Sequence, residues 1–169
     1  MKINYLFIYQ PYHKGKNKAF NHISGMLLSF KKGEDKSIQF WLGRIERELI
    51  NQLQTKAFYI ATVPSSTKGN KHLGFEKLIP KLSGKFDILN EKRNLIKRDK
   101  TIEKLANGGS RAIGVHINSL SVRTTEVAGK NVVLIDDVTT SGNSMRAAIS
   151  KLERAGYNVI FAMALGKTA

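Results

Sequence analysis

The stretch from Val132 to Leu165 limits what this chain can fold into more than any other. The apolar run Asn131 to Ile135 leads into Asp136 and Asp137, then into a hydroxyl-rich loop, Thr139 to Ser144, with one glycine at Gly142. Next, Met145, Ala148, Ile149, Leu152 and Ala155 recur at helical spacing, Gly156 marks a terminus, and Tyr157 to Leu165 is apolar again. A period that switches from strand to helix and back predicts strand, loop, helix, strand, hence a parallel pair with a right-handed crossover. The fold class is α/β. In such sheets a ligand sits beyond the carboxyl ends of the strands, where this loop lies.

The preceding residues extend the alternation. Ile3 to Tyr9 and Gly25 to Phe30 read as strands, and Asp35 to Gln54 carries Ile38, Trp41, Leu42, Ile45, Leu49 and Leu53 as the stripe of an amphipathic helix. Ala57 to Val63 reads as a buried strand stopped by Pro64, and residues 71–82 as a short helix broken near Pro80. Phe86 to Leu89 fits a short strand. Asp99 is placed to cap a helix reaching Ala106, and Asn107 to Arg111 is a glycine-rich break, so Glu91 to Arg111 reads as a mobile excursion. Ile113 to Ile117 and Ser119 to Arg123 read as strands, followed by a turn at Ala128-Gly129-Lys130. His116, within the first of them, reads as a strand residue with a structural bond. The expectation is one domain over residues 1–169: an N-terminal part, 1–55, of strands and a helix, and a core, 56–169, with a mobile loop at about 91–111.

Chemistry concentrates at the turn between strand and helix. Thr139, Thr140, Ser141, Gly142, Asn143 and Ser144 join a glycine, four hydroxyls and the free N–H groups of a helix start, which are the parts of a phosphate cradle. Neither a G-x-x-x-x-G-K-[ST] loop nor a G-x-G-x-x-G turn is present. Asp136 and Asp137 would repel bare phosphate, so they face hydroxyl donors or a metal, and a sugar phosphate satisfies both halves. Consecutive strand residues point to opposite faces, so both acids reach one ligand only if the strand turns at Asp137. Otherwise Asp137 caps the turn and Asp136 meets a buried cation.

Lys+Arg 28 against Asp+Glu 13 gives a formal net charge of +15, which draws a chain toward phosphates on nucleic acid, a membrane surface or a small molecule. Scattered lysines such as Lys14, Lys16, Lys18, Lys31 and Lys32 read as solvated surface. No apolar run is long enough to cross a bilayer, no signal-peptide pattern opens the chain, and there is no cysteine. A soluble, cytoplasmic protein is the expectation.

The run VLIDDVTTSGNS, Val133 to Ser144, resembles the phosphoribosyl-pyrophosphate (PRPP) signature of type I phosphoribosyltransferases. Within that superfamily the chain is most similar to ComF-type, competence-associated proteins. Residues 26–49, Val63-Pro64-Ser65-Ser66, His72-Leu73-Gly74-Phe75-Glu76 and Arg98-Asp99-Lys100-Thr101 with Leu105 and Arg111 fall in the corresponding order. Two departures stand out: the zinc-ribbon cysteines of those proteins are absent, and His72 stands where arginine is usual.

The resemblance implies a central parallel sheet flanked by helices, a small N-terminal hood-like element and a flexible lid. It implies transfer of phosphoribose from PRPP to a nucleobase or similar acceptor, with release of pyrophosphate. Asp136 and Asp137 would hold the ribose, Val138 to Ser144 the phosphate, and Ser65, Ser66 and Lys68 the pyrophosphate, although Pro64-Ser65 also reads as an ordinary strand exit. Lys71 and Lys97 are further partners for the leaving group. Arg98 and Arg111 would fold over it, since a guanidinium grips phosphate with two donors. Mg²⁺ would come mainly on PRPP, with Asp136 and Asp137 as further ligands. A homodimer is implied by analogy. A regulator that senses a nucleotide or PRPP without turnover, and a nucleic-acid partner on the basic surface, remain the alternatives.

Overall fold

The computed structural model describes residues 1–90, 94–103, 113–123 and 129–169. Five strands, β1 (Asn4–Tyr9), β2 (Ala57–Thr62), β3 (Asp87–Ile88), β6 (Asn131–Thr139) and β7 (Asn158–Thr168), form one sheet in the order β1-β7-β6-β2-β3. Every neighbouring pair in it is parallel. The N-terminal strand, expected as part of a hood-like element, is an edge of this central sheet. A second, two-stranded antiparallel sheet joins β4 (Ile96–Arg98) to β5 (Leu120–Val122).

Strand alternation sorts the core into two layers. Val133, Ile135, Met163 and Leu165 face α1 (His22–Lys31), α2 (Asp35–Gln52) and α3 (Leu73–Leu82), with Trp41 and Phe30 fully buried among them. Val132, Leu134, Ala162 and Ala164 face α5 (Asn143–Arg154) and β4–β5, beside which lies α4 (Ile113–Ser119). β2 continues through α3 to β3 on one side, and β6 through α5 to β7 on the other. The carboxyl ends of β2 and β6 thus flank the switch point where the connections diverge, the ligand crevice of open α/β sheets.

Three elements differ from expectation. Residues 25–30 are helical: the Asn21 side chain accepts from the Ser24 N–H at 2.9 Å, and Met26, Leu27 and Phe30 are buried on one side. A short apolar run fits either element, and here the cap decides. Ile113 to Ile117 also lies in a helix. The alternating Ile113 and Val115 are exposed, and the buried residues are His116 and Ser119, three apart. α3 runs through Pro80, near its end, where one lost hydrogen bond matters less than burying Phe75, Leu78 and Leu82.

The expected excursion is in part ordered. Asn90 and Asn94 pair their side-chain amides with the backbone N–H and C=O of Ile60 and Thr62, extending the edge of β2 where β3 stops after two residues. Residues 96–98 form β4, and residues 99–103 are not helical. The rest of the helix expected to Ala106, the Asn107–Arg111 break and the turn at Ala128 lie outside the described residues.

Candidate active site

β6 remains a strand to Thr139, so the two acids leave it on opposite faces. The turn at Asp137 on which a shared ligand was expected to depend is absent. Asp137, on the α1–α3 face, pairs with Lys31 Nζ at 3.1 Å and with His72 Nε2 at 2.9 Å, and its other oxygen accepts from the Val138 N–H. His72 Nδ1 accepts from the Phe75 N–H at 3.3 Å, which leaves the proton on Nε2, directed at the carboxylate. Burial alone would raise the Asp137 carboxyl; the hydrogen bond from His72 and the charge of Lys31 outweigh it and hold the group at about 2. The Lys31 ammonium is raised in turn, its burial offset by Asp137.

Asp136 faces the α5 layer, is 8% exposed and accepts from the Asp137 N–H at 2.8 Å. Burial and the adjacent Asp137 charge push it well above the usual carboxylate range, against the pull of Lys31 and Arg98. Environment therefore splits the pair: Asp137 carries the charge, and Asp136 is driven toward its neutral form. The buried cation foreseen for Asp136 is not found in contact with it among the described residues; the cation at the pair is Lys31, partly exposed, and it bonds Asp137.

Beyond Thr139 the loop takes the shape of a cradle. Gly142 adopts a left-handed φ of 79° as the residue preceding α5, and a Cβ there would meet the Arg146 guanidinium at 3.1 Å. Arg146 donates to the Ser141 carbonyl at 2.7 Å, placing a cation against the loop, while the first turn of α5 contains no acid. Thr140 meets Thr168 at 3.0 Å, and Ser144 meets His116 Nδ1 at 3.3 Å. A helix start with no acidic residue and an adjacent guanidinium suits an anion.

The loop after β2 stands beside it. Ser65 Oγ accepts from the Thr67 N–H and Asn70 Nδ2, the Ser66 carbonyl accepts from the Ile102 N–H at 2.9 Å, and the Lys68 N–H donates to Thr101 Oγ1 at 3.0 Å. The Ser65 hydroxyl thus shapes its own turn, and the Lys68 amide is engaged by Thr101. A cleft of about 890 Å³ opens along this loop, with Lys68, Lys71 and Lys97 on its rim and Phe75 and Ile96 in its wall. Lys71 pairs with Glu76 at 3.6 Å, and Lys97 with Asp99 at 3.4 Å.

Arg98 is not poised over a leaving group. It is 6% exposed and donates to the Ser65 carbonyl at 3.0 Å, the Pro64 carbonyl at 3.1 Å and Ser119 Oγ, so its guanidinium holds the β2 loop from beneath. Arg111 lies outside the described residues. Sequence reasoning missed Lys31, read as a solvated lysine, and Arg146. Lys31 was hidden because residues 25–30 read as a strand, which would not place the residue after Phe30 at a helix end over β6. Among the described residues no cluster of three or more metal-ligating side chains occurs. Asp136 and Asp137, at the carboxyl end of β6, are the carboxylates that a phosphate-borne Mg²⁺ would meet.

A parallel α/β sheet with an acid-hydroxyl-glycine turn at its switch point defines the class of phosphoribosyltransferase folds. The family model described as the phosphoribosyl transferase domain matches residues 75–169, more than half the chain, and the protein belongs to that family. No curated protein matches it by sequence. Among solved structures it is similar to the adenine phosphoribosyl transferase from Trypanosoma brucei in complex with AMP, pyrophosphate and ribose-5-phosphate. That likeness has a TM-score of 0.50 and 15% identity over 82% of this chain and 67% of that one. An adenine phosphoribosyltransferase gives a TM-score of 0.46 at 18% identity, covering 77% and 71%. The enzyme from Saccharomyces cerevisiae gives 0.43 at 14%, covering 78% and 70%. At such identities the likeness is one of fold.

Proposed function

We propose that the protein transfers phosphoribose from PRPP to a nucleobase-like acceptor and releases pyrophosphate. The observation that carries this reading is the segment Asp136 to Ser144 at the switch point, where the acidic end of β6 adjoins a cradle of N–H and hydroxyl donors. In this reading the 5-phosphate sits on the amides of residues 140–144 beside Arg146, and the ribose diol lies against Asp137, the more exposed of the two acids. The pyrophosphate lies along the β2 loop, where the ammonium of Lys68 takes up its charge. Such a transfer is difficult because a multiply charged leaving group departs from a sugar gaining oxocarbenium character, so fixed donors and cations around the departing oxygens lower the barrier. Mg²⁺, when bound, neutralises phosphate charge. Lys31, with its side chain 40% exposed, has room to swing from Asp137 as the diol arrives. The order of the other motifs supports a ComF-type protein, and a cytoplasmic location follows from the same reading.

One observation favours a second reading. Asp137 is tied to Lys31 and His72, and Arg98 is spent inside the fold, as suits a sensor that binds donor or nucleotide without turnover. Pyrophosphate release, measured with Mg²⁺ over a panel of bases, decides between them: release with one base supports the enzyme, and donor binding without release supports the sensor. Asp136→Asn with Asp137→Asn is expected to weaken PRPP binding at least 100-fold in calorimetry with the fold intact. Unchanged affinity overturns both readings.

A further inference from the structure

A buried polar chain runs between the two loops to which the ligand's anionic ends are assigned, and none of its middle members contacts the ligand in the reading above. Arg98 donates to the Pro64 and Ser65 carbonyls on one side. On the other it donates to Ser119 Oγ, which donates onward to the His116 carbonyl at 2.9 Å. The ring of the same His116 meets Ser144, in the first turn of α5, at 3.3 Å. Arg98, His116 and Ser119 are 6%, 8% and 2% exposed. The frame around them is stiff: Asp99 N–H bonds the Ser119 carbonyl at 2.9 Å, and β4 pairs with β5 from Ile96–Val122 to Arg98–Leu120.

We infer that Arg98, Ser119 and His116 are positioning residues that couple occupancy of the β2 loop to that of the α5 cradle. The physical basis is the cost of breaking any one link. A buried guanidinium that loses an acceptor, or a buried carbonyl that loses its donor, is left unsatisfied where water cannot replace the partner. The two loops therefore settle together, and a ligand that orders one reduces the ordering left for the other. Linkage requires the effect to be reciprocal. Adjacent β-strands alone would not give this specificity, because the main-chain pairing of β2 with β6, which runs as far as the bond from Val63 N–H to the Ile135 carbonyl, stops short of Ser65 and of residues 140–144.

This inference rests on the functional reading, and the test separates the two. Inorganic pyrophosphate and ribose 5-phosphate are titrated into the full chain with Mg²⁺, each alone and each with the other saturating. The expected result is that each tightens the other by roughly fivefold or more. In Ser119→Ala that ratio falls toward one while each affinity alone stays within about twofold, and Ser119→Thr, which restores a hydroxyl, restores the coupling. Amide exchange at Thr67 and Asn70 should accelerate in Ser119→Ala, independently of any ligand. Independent binding of the two ligands to the unmodified protein, or full coupling in Ser119→Ala, overturns the inference and leaves the function standing. Failure of both ligands to bind removes the function and the coupling with it.

Discussion

At the scale of single residues, Asp137 is the one whose environment makes the most measurable statement. Its carboxyl sits at about 2 in the folded chain against 3.8 ordinarily. A depressed acid adds stability above its unfolded value, and that stability is lost as pH falls from about 4 through 2. The difference corresponds to about 2 kcal/mol, and the side chain is only 17% exposed, so solvent screens little of it. Asp136 acts in the opposite sense: its raised value makes ionisation costly, so its penalty is absent in acid and sets in above its unfolded value. The expected outcome is that Asp137→Asn flattens the rise in melting temperature between pH 2 and 4, whereas Asp136→Asn leaves that rise in place and lifts the melting temperature above about pH 4, where the penalty of ionising Asp136 sets in. Parallel melting curves for the parent and Asp137→Asn between pH 2 and 4 would show that Lys31 and His72 do not hold the charge as described.

At the scale of elements, the site depends on how α1 is pressed against α3, because the end of one brings Lys31, and the start of the other His72, to Asp137. Gly74 makes that approach possible: a Cβ there would lie 2.3 Å from the Phe30 carbonyl and 2.8 Å from its ring. Gly74→Ala must push the helices apart, with an expected loss of roughly 1–3 kcal/mol in denaturant unfolding and a weakened Lys31–Asp137 pair. An alanine variant as stable as the parent would refute the close contact. This junction also shows what was legible beforehand. The 131–165 unit could be read because two apolar runs flank a stretch of period 3.6, and because its turn chemistry is local. Residues 25–30 and 113–117 could not, since short apolar runs fit both periods and a distant packing face made the choice. The same limit applied to Arg98: its charge was visible, but its burial beneath Pro64 and Ser65 depends on a β4–β5 pairing between segments far apart in sequence.

At the scale of the whole molecule, the +15 charge and the cradle make different demands on a polyanion, and salt separates them. A donor seated on loop amides beside Arg146 is held at short range by hydrogen bonds that salt weakens little, whereas nucleic acid spread over surface lysines is held by released counterions. PRPP at 100 times its dissociation constant should therefore raise the unfolding free energy by about 2.7 kcal/mol. For a chain of 169 residues this is a melting shift of roughly 5–10 °C. It should survive most of the change from 50 to 300 mM salt if donor is re-saturated. A short DNA duplex should lose its binding steeply over the same range. A shift given by the duplex, with none from PRPP at any concentration, would transfer the functional site from the switch point to the basic surface, because only a ligand that binds the folded state more tightly than the unfolded one can move the equilibrium.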